Sequence, residues 1–233
     1  MSAFEYKEYS VLMSVYHKER PEYLKQAIES IQVQSLSTND FVLVCDGPLN
    51  DELDAVIQTK QLEMGENLNV VRLAKNGGLG NALNEGIKHC KNELVARMDS
   101  DDIAYPDRCE KQIAVFNTHS EVSICSGIVE EFTTDPNTVD TKRVPPETNA
   151  EIIEFAKKRN PFNHPCVMYK KSAVKAVGSY QDFYLLEDYY LWLRMLMAGY
   201  QGYNIQEPLL HMRAGSDMYK RLSLIHISEP TRP

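Results

Sequence analysis

The stretch with the clearest chemical potential is "ARMDSDD", residues 96–102, which places three carboxylates within four positions: Asp99, Asp101 and Asp102. Crowded carboxylates repel one another and are seldom buried unless a cation is present. Hard divalent ions such as Mg²⁺ and Mn²⁺ bind carboxylate oxygens together with the oxygens of substrate phosphates. The Asp-x-Asp spacing therefore indicates a metal site, and the alternative is a solvated acidic turn that caps a helix beginning near Pro106.

A second acidic pair, Glu187 and Asp188, stands at the start of an amphipathic helical pattern. A positioned carboxylate can act as a general base by taking a proton from a substrate hydroxyl. The alternative is that two acids at a helix N-terminus only complement the helix dipole. Trp192 follows one turn later, and we expect it to be a core residue.

The first half of the chain alternates strand patterns with helix patterns. The predicted strands are residues 9–16, 41–47, 69–74 and 93–99, and the predicted helices are residues 21–34, 51–64, 81–90 and 106–119. This alternation predicts βαβ units and a mostly parallel sheet. Each strand ends in a polar segment ("HKE", Asp46, "KNGGLG" and "DSDD"), and ligands bind beyond the carboxyl ends of parallel strands. We therefore expect the binding site at that edge.

The second half has less regular patterns. We predict a strand over residues 122–132, a polar loop over 133–146, a helix over about 150–158 and a strand over 164–171. The last helix carries Tyr189, Leu193 and Leu196 or Met197 on one stripe, with Gly199 near its end. We expect one domain over residues 1–221. The end of the sequence, "LSLIHISEPTRP", loses helical periodicity, so we expect residues 222–233 to be a vector-derived tail.

Composition narrows the function classes. The net charge of -8 argues against a nucleic-acid-binding protein, which would present a basic face. Five cysteines without a C-x-x-C spacing favour a reducing cytosol over a disulfide scaffold or a zinc site. Since no apolar run approaches the roughly 20 residues of a membrane span, we expect a cytoplasmic protein that at most contacts the inner membrane surface.

Five motifs, in this order and spacing, resemble glycosyltransferase family 2: "SVLMSVYHKERPEYLKQAIESIQVQ", "VLVCDG", "NGGLGNALNEGI", "ARMDSDD" and "LLEDYYLWLRM". The resemblance covers residues 10–213 and is strongest to bacterial enzymes of surface-polysaccharide assembly, of the amylovoran-biosynthesis type. It implies the GT-A fold, an α/β fold with a Rossmann-like, mixed, mostly parallel sheet flanked by helices. A nucleotide-sugar-binding half would cover about residues 9–105, and an acceptor-side half about residues 106–221.

The resemblance also implies an activity: inverting transfer of a sugar from a nucleotide-diphosphate donor, here expected to be a UDP-sugar, to an acceptor hydroxyl. The acceptor would be a glycan or a lipid-linked glycan, and the cofactor a divalent ion, Mn²⁺ or Mg²⁺. Two alternatives are a catalytically silent sugar-nucleotide-binding subunit and a sugar nucleotidyltransferase. The second is disfavoured because strand one is followed by "HKERPEY" and not by a Gly-rich basic loop.

Residue roles follow from the same resemblance. Asp188 would be the base and Glu187 a ligand of the acceptor or the donor sugar, while Asp101, Asp99 and His211 would bind the metal. Asp46 would accept a hydrogen bond from the uracil N3–H. The residues that would contact the donor are Ser14, Val15, Tyr16, Glu19, Asp46, Asn76, Gly77, Asn81, Arg97 and Asp99.

Some positions depart from the family pattern or extend it. Relatives often carry an arginine near Asn81, this chain has none, and Arg97 would supply the positive charge instead. His164 would lie beside the acceptor, and Arg213 would reach the diphosphate together with His211. The basic runs at residues 157–159 and 170–171 would be solvated faces, or would meet an anionic membrane surface that carries the acceptor.

Overall fold

The computed structural model describes residues 5–183 and 185–214. In this part of the chain nine strands form one sheet, covered by seven α-helices. The strands are β1 (Ser10–Val15), β2 (Asp40–Cys45), β3 (Leu68–Arg72), β4 (Leu94–Asp99), β5 (Ile103–Ala104), β6 (Val122–Phe132), β7 (Thr141–Arg143), β8 (Met168–Lys170) and β9 (Gln201–Arg213). The helices are α1 (Pro21–Gln32), α2 (Asp51–Met64), α3 (Leu79–His89), α4 (Arg108–Thr118), α5 (Asn149–Phe155), α6 (Lys171–Ala176) and α7 (Glu187–Met197).

The strand order is β3-β2-β1-β4-β8-β6-β9-β5, with β7 paired to β6. The first four strands are parallel, so their carboxyl ends share one edge. β8 joins this half to the second half by antiparallel pairing with both β4 and β6. The mixed sheet and the four βαβ-derived parallel strands confirm the predicted fold class.

Both faces of the parallel half are covered by helices. In β1, Val11 and Met13 pack into the core formed with α1, α2 and α4, whereas Leu12 packs into the core formed with α3 and α7. Burial on both faces explains why these strands read as continuous apolar runs. On the α3 face, a Cβ at Gly86 would lie 2.3 Å from the Leu12 side chain, so α3 requires a glycine here to approach the sheet closely.

The second half differs from the sequence prediction at several elements. The 13-residue strand β9, parallel to β6, was not predicted. The polar loop over 133–146 contains β7, and the strand predicted over 164–171 begins as a 3-10 turn (His164–Cys166) before β8. In α7 the buried side chains are Leu191, Trp192 and Met195, so the predicted stripe was wrong by about half a turn, while the core position of Trp192 is confirmed.

No helix within the described ranges combines the length and apolar character needed to cross a bilayer. The proposed tail, residues 222–233, lies outside the described residues. The one sheet runs through both halves of the chain, because β6, β8 and β9 extend the edge formed by β4. The carboxyl ends of β1 and β4 and the start of α7 thus belong to one continuous framework.

Candidate active site

Three carboxylates gather where β4 ends. Asp99 is the last residue of β4, Asp101 and Asp102 follow it in the turn, and one oxygen from each lies within 4.8 Å of the others. The turn is fixed from the β1 side, because Ser100 Oγ donates to Glu19 Oε2 at 2.5 Å. Glu19, predicted to contact the donor, therefore lies beside this carboxylate cluster.

The electrostatics of the carboxylate cluster match the expectation for a cation site. Burial, followed by repulsion from Asp99 and Glu19, raises the pKa of Asp101 to about 7. Burial and the two neighbouring aspartates also raise the pKa of Asp102 well above its usual value. Asp102 Oδ2 is buried and has no hydrogen-bond partner among the described residues. An all-oxygen set with excess negative charge suits Mg²⁺ or Mn²⁺.

The end of β9 docks directly on this turn. The backbone amide of Arg213 donates to Asp102 Oδ1 at 2.9 Å, and Arg213 Nε donates to the carbonyl oxygen of Asp101 at 3.1 Å. The guanidinium also lies over the Tyr23 ring, 3.7 Å from its centroid. Asp102 therefore anchors β9 and does not cap α4, whose N-cap residue is Asp107.

His211, predicted as a metal ligand, has different contacts. Its ring stacks on Tyr105 with centroids 4.4 Å apart, and its Nδ1 lies 3.8 Å from Glu130 Oε2. Burial lowers the pKa of His211, against the opposing effect of Glu130. The pairing of β5 with β9 places Ile103 opposite His211 and so fixes this position. The geometry does not support His211 as a ligand alongside the three carboxylates.

Arg97 is next to the carboxylate cluster. It points from β4 with 1% exposure and forms an ion pair with Asp99. Its Nε and Nη1 have no hydrogen-bond partner within the described part of the chain. On the acceptor side, its charge opposes the rise in the pKa of Glu187 and of Asp188. Because the side chain is buried, the predicted direct contact with the donor is not supported, and Arg97 instead orients Asp99.

Asp46 clamps the loop that precedes α3. Its carboxylate accepts from the backbone amides of Gly77, at 2.8 Å, and Gly78, at 3.1 Å. Gly47 has a φ of +86°, and a Cβ there would lie 2.6 Å from the Asn76 nitrogen, so the two loops touch through backbone. Each carboxylate oxygen has two lone pairs, so Asp46 retains acceptor capacity for a base N–H.

The other predicted donor contacts differ in accessibility. Val15 is 1% exposed, and its carbonyl accepts from the Asp46 amide at 2.8 Å, so it has a structural role and not the predicted donor contact. Ser14 and Tyr16 are half-buried at the end of β1, whereas Asn76, Gly77 and Asn81 are exposed. These exposed groups border the N-terminus of α3, which offers backbone amides to a phosphate.

We expect Asp46→Ala to raise the donor KM by about 10-fold, because two amide hydrogen bonds to a charged acceptor are lost and the loop at residues 76–78 loosens. Divalent-metal affinity at the carboxylate cluster should stay within about twofold. The measurement is a donor titration at saturating Mn²⁺, with Asp54→Ala as the control, since Asp54 lies on α2 and pairs with Arg72 at the end of β3. An unchanged donor KM would contradict the clamp.

Glu187 and Asp188 begin α7 and lie within the electrostatic influence of Arg97. A Cβ at Gly80, in the first turn of α3, would lie 3.7 Å from Glu187 Cγ, so the donor-side helix and the acid pair are neighbours. Burial raises the pKa of both carboxyl groups. Asp188 Oδ2 accepts from Asn160 Nδ2 at 2.7 Å and lies 4.0 Å from His164 Nδ1.

Several residues of this site were not identified from the sequence. Asn160 contacts Asp188, and Tyr180 links the two halves: its hydroxyl lies 3.0 Å from His164 Nε2, and its backbone is bound twice by the Asn84 side chain of α3. His164 was predicted beside the acceptor; burial and then the charge of Arg97 lower its pKa, which makes it neutral. The run "NPFNHP" was the available signal, since it places polar side chains amid apolar neighbours.

Comparisons with known proteins show the family of this chain. The model of glycosyl transferase family 2 matches residues 10–178. The chain is 44% identical over 213 residues to the amylovoran biosynthesis glycosyltransferase AmsE of Erwinia amylovora, covering 91% of this chain and 79% of that protein. It is 38% identical over 214 residues to the UDP-Gal:alpha-D-GlcNAc-diphosphoundecaprenol beta-1,3-galactosyltransferase of Escherichia coli, covering 92% and 77%.

Solved structures share the fold. S. aureus TarS 1-349 in complex with UDP-GlcNAc matches with a TM-score of 0.69 at 18% identity, over 94% of this chain and 64% of that one. The mannosyltransferase PcManGT from Pyrobaculum calidifontis, in complex with GDP-Man and Mn²⁺, matches with a TM-score of 0.70 at 14% identity, over 97% and 66%. The chain thus spans about two thirds of each solved chain. By its family model, its relatives and its GT-A fold, this chain belongs to glycosyltransferase family 2.

Proposed function

We propose that the protein is a metal-dependent, inverting glycosyltransferase that moves a sugar from a UDP-sugar to the hydroxyl of a lipid-linked or growing glycan. The observation that carries the proposal is the arrangement around Arg97. This buried guanidinium acts on two acidic groups: it pairs with Asp99 of the carboxylate cluster suited to a cation, and its charge opposes the rise in the pKa of Glu187 and of Asp188. The two groups have different chemical tasks.

The donor side would stabilise the leaving group. Asp99, Asp101 and Asp102 would hold a divalent ion, which neutralises charge on the departing diphosphate when it is bound. The N-terminus of α3 would add backbone amides, and Asp46 would read the base while it clamps the loop at residues 76–78. Glu19 and Ser100 hold the turn in place. The predicted roles of Ser14, Tyr16, Asn76, Gly77 and Asn81 remain part of this proposal.

The acceptor side would supply the base. Asp188 would take the proton of the acceptor hydroxyl as that oxygen forms its bond to the anomeric carbon. The bond from this carbon to the phosphate oxygen breaks in the same displacement, and the nucleoside diphosphate leaves with the electron pair. Attack from the face opposite the leaving group inverts the anomeric centre. Glu187, next to the first turn of α3, would bind a sugar hydroxyl.

The relatives suggest the substrate class. The Escherichia coli relative is named for a UDP-Gal donor and a diphosphoundecaprenol-linked acceptor. An acceptor of this kind is membrane-anchored, so the protein would act at the cytoplasmic membrane surface. The second candidate is a subunit that binds a sugar nucleotide without catalysis. It is distinguished from the enzyme by donor binding without product when a lipid-diphosphate glycan is supplied.

We expect a UDP-sugar at 100 times its Kd to raise Tm by about 5–10 °C in the presence of Mn²⁺, because ligand binding to the native state adds about 2.7 kcal/mol. Without the ion the shift should be less than half as large. A panel of nucleotide sugars, each followed by an assay for product, measures both binding and transfer. Equal shifts with and without Mn²⁺ would argue against metal dependence.

The stabilisation by Mn²⁺ alone should depend on pH. Because the pKa of Asp101 is raised to about 7, this carboxyl is protonated below pH 7 and an incoming ion must displace the proton. The raised pKa also means that the metal-free fold loses stability as pH rises toward and through 7. We therefore expect a larger Tm increase from Mn²⁺ at pH 8 than at pH 6. The reverse order would contradict the assignment of the cluster.

A further inference from the structure

The Asp188 carboxyl group has a neighbour, Asn160, that is held by two hydrogen bonds. Asn160 Nδ2 donates to Asp188 Oδ2 at 2.7 Å, and Asn160 Oδ1 accepts from the Phe162 backbone amide at 3.3 Å. The second bond fixes the orientation of the amide group, because the opposite orientation would point two donors at each other. The Asn160 NH₂ group is therefore committed to Asp188.

The segment that carries Asn160 is anchored in the core. Phe162 is 2% exposed, and its ring centroid lies 5.9 Å from that of Trp192 in α7. The fully buried Asn204 of β9 donates through Nδ2 to the carbonyl oxygens of Pro146, at 2.6 Å, and Pro161, at 3.1 Å. The chain on both sides of Phe162 is thus held to α7 and to β9. This leaves the Asn160 side chain little freedom to leave Asp188.

We propose that Asn160 is a positioning residue that occupies Asp188 Oδ2, so that Oδ1 is the oxygen that takes the acceptor proton. This inference rests on the proposed function for the statement that the proton comes from an acceptor hydroxyl. The contact between Asn160 and Asp188 does not depend on that function. A hydrogen bond from a neutral amide favours the ionised form of the carboxyl group without donating a proton to it. Asn160 would therefore keep a buried base ionised and fix the direction of its free lone pairs.

The surroundings of Asp188 make this donor important. Burial raises the pKa of Asp188, while the backbone amide of Tyr189, the Asn160 side chain and the charge of Arg97 lower it. His164 is neutral and 4.0 Å away, so it adds no cation. The titratable and charged groups that face Asp188 come from α7, β4, the 3-10 turn and the α6–α7 connection: Glu187, Arg97, His164 and Tyr180. Asn160 adds a neutral side-chain donor to these groups.

The test is a titration of the Asp188 carboxyl carbon by NMR in protein labelled at aspartate, assigned with Asp188→Asn. We expect Asn160→Ala to raise the pKa of Asp188 by about one unit, a tenfold change in its protonation equilibrium. Asn160→Asp, which is isosteric and retains the acceptor for the Phe162 amide, should raise it further through repulsion. The control is Asn163→Ala: Asn163 belongs to the same segment, but its Nδ2 donates to the carbonyl oxygen of Gly127 at 2.9 Å, and its loss should leave the pKa of Asp188 unchanged.

Turnover provides the second readout. Since Asp188 must be ionised to act, a raised pKa moves the acid limb of the kcat–pH profile to higher pH. We expect kcat of Asn160→Ala to fall about 10-fold at neutral pH with a donor KM within twofold of wild type, and to recover in part at higher pH. A structural defect would instead lower kcat at every pH. The kcat–pH profile of Asn163→Ala is the comparison.

The outcomes separate this inference from the proposed function. If the pKa of Asp188 rises in either Asn160 variant but the wild-type protein transfers no sugar, the contact is supported and the proposed function is rejected. An unchanged pKa in a folded Asn160 variant would overturn the inference, whatever the activity. If Asn160→Ala does not fold, the isosteric Asn160→Asp decides on the same measurement.

Discussion

Asp188→Asn is expected to lower kcat by about 10²- to 10⁴-fold while donor affinity stays within about twofold of wild type. The amide has nearly the shape of the carboxylate but cannot accept the acceptor proton, and a positioned base contributes an effect of this size. Asp188 contributes no oxygen to the carboxylate cluster and is coupled to it through the charge of Arg97, so the effect on donor affinity should be small. Steady-state kinetics with varied donor, together with a donor-binding isotherm, make the comparison.

The control for Asp188→Asn is Asp51→Asn. Asp51 also lies in the first turn of a helix, α2, but it is exposed and outside the site. If the acids of α7 only complemented the helix dipole, both substitutions would cost similar small amounts of stability and neither would affect kcat. Near-normal turnover in Asp188→Asn would mean that another group takes the proton.

Asp101→Asn is expected to produce opposite effects with and without metal. Without metal, the variant should melt at a higher temperature than wild type at pH 8, because one charge is removed from three crowded carboxylates and the carboxyl with a pKa raised to about 7 is no longer present. With Mn²⁺, the variant should gain little stability and bind the donor about 100-fold more weakly, since a charged ligand of the ion is lost. Calorimetric melting with and without Mn²⁺ measures both effects.

The control for Asp101→Asn is Asp107→Asn. Asp107 is six positions further along, pairs with Lys111 at 2.8 Å and contributes no oxygen to the carboxylate cluster. An exposed pair of this kind contributes about 0–1 kcal/mol, so the variant should melt near wild type and respond normally to Mn²⁺. Should Asp101→Asn retain the full response to Mn²⁺, the ion must bind elsewhere.

The sequence was most informative where the structure of an element depends mainly on the residues of that element. The buried parallel strands are continuous apolar runs, and the acids that follow β4 are adjacent in the chain, so both could be predicted. β9 could not, because its register with β6 shifts between Ile205 and Pro208, and a proline within the run argues against a central strand. The bulge absorbs the proline and restores pairing from Leu210 onward.

Residues whose roles depend on distant partners were harder to interpret. Arg97 was predicted to contact the donor, but its side chain is buried and interacts electrostatically with Tyr180 and His164, which lie far along the chain. His211 was assigned to the metal from its place in the family pattern, whereas stacking on Tyr105 and proximity to Glu130 determine its position. The contact of Asn160 with Asp188 could not be predicted from the local sequence, because the two residues are 28 positions apart. Such contacts are properties of the packed molecule and not of any local pattern.

The guanidinium of Arg97 interacts with both the carboxylate cluster and the pair Glu187 and Asp188, and this affects how the protein responds to substitutions. Two acidic groups interact with one immobile positive charge, so neutralising either group leaves more of that field for the other. Paired substitutions, one in each group, should consequently be non-additive, and a redesign of the carboxylate cluster would also change the protonation of Glu187 and Asp188.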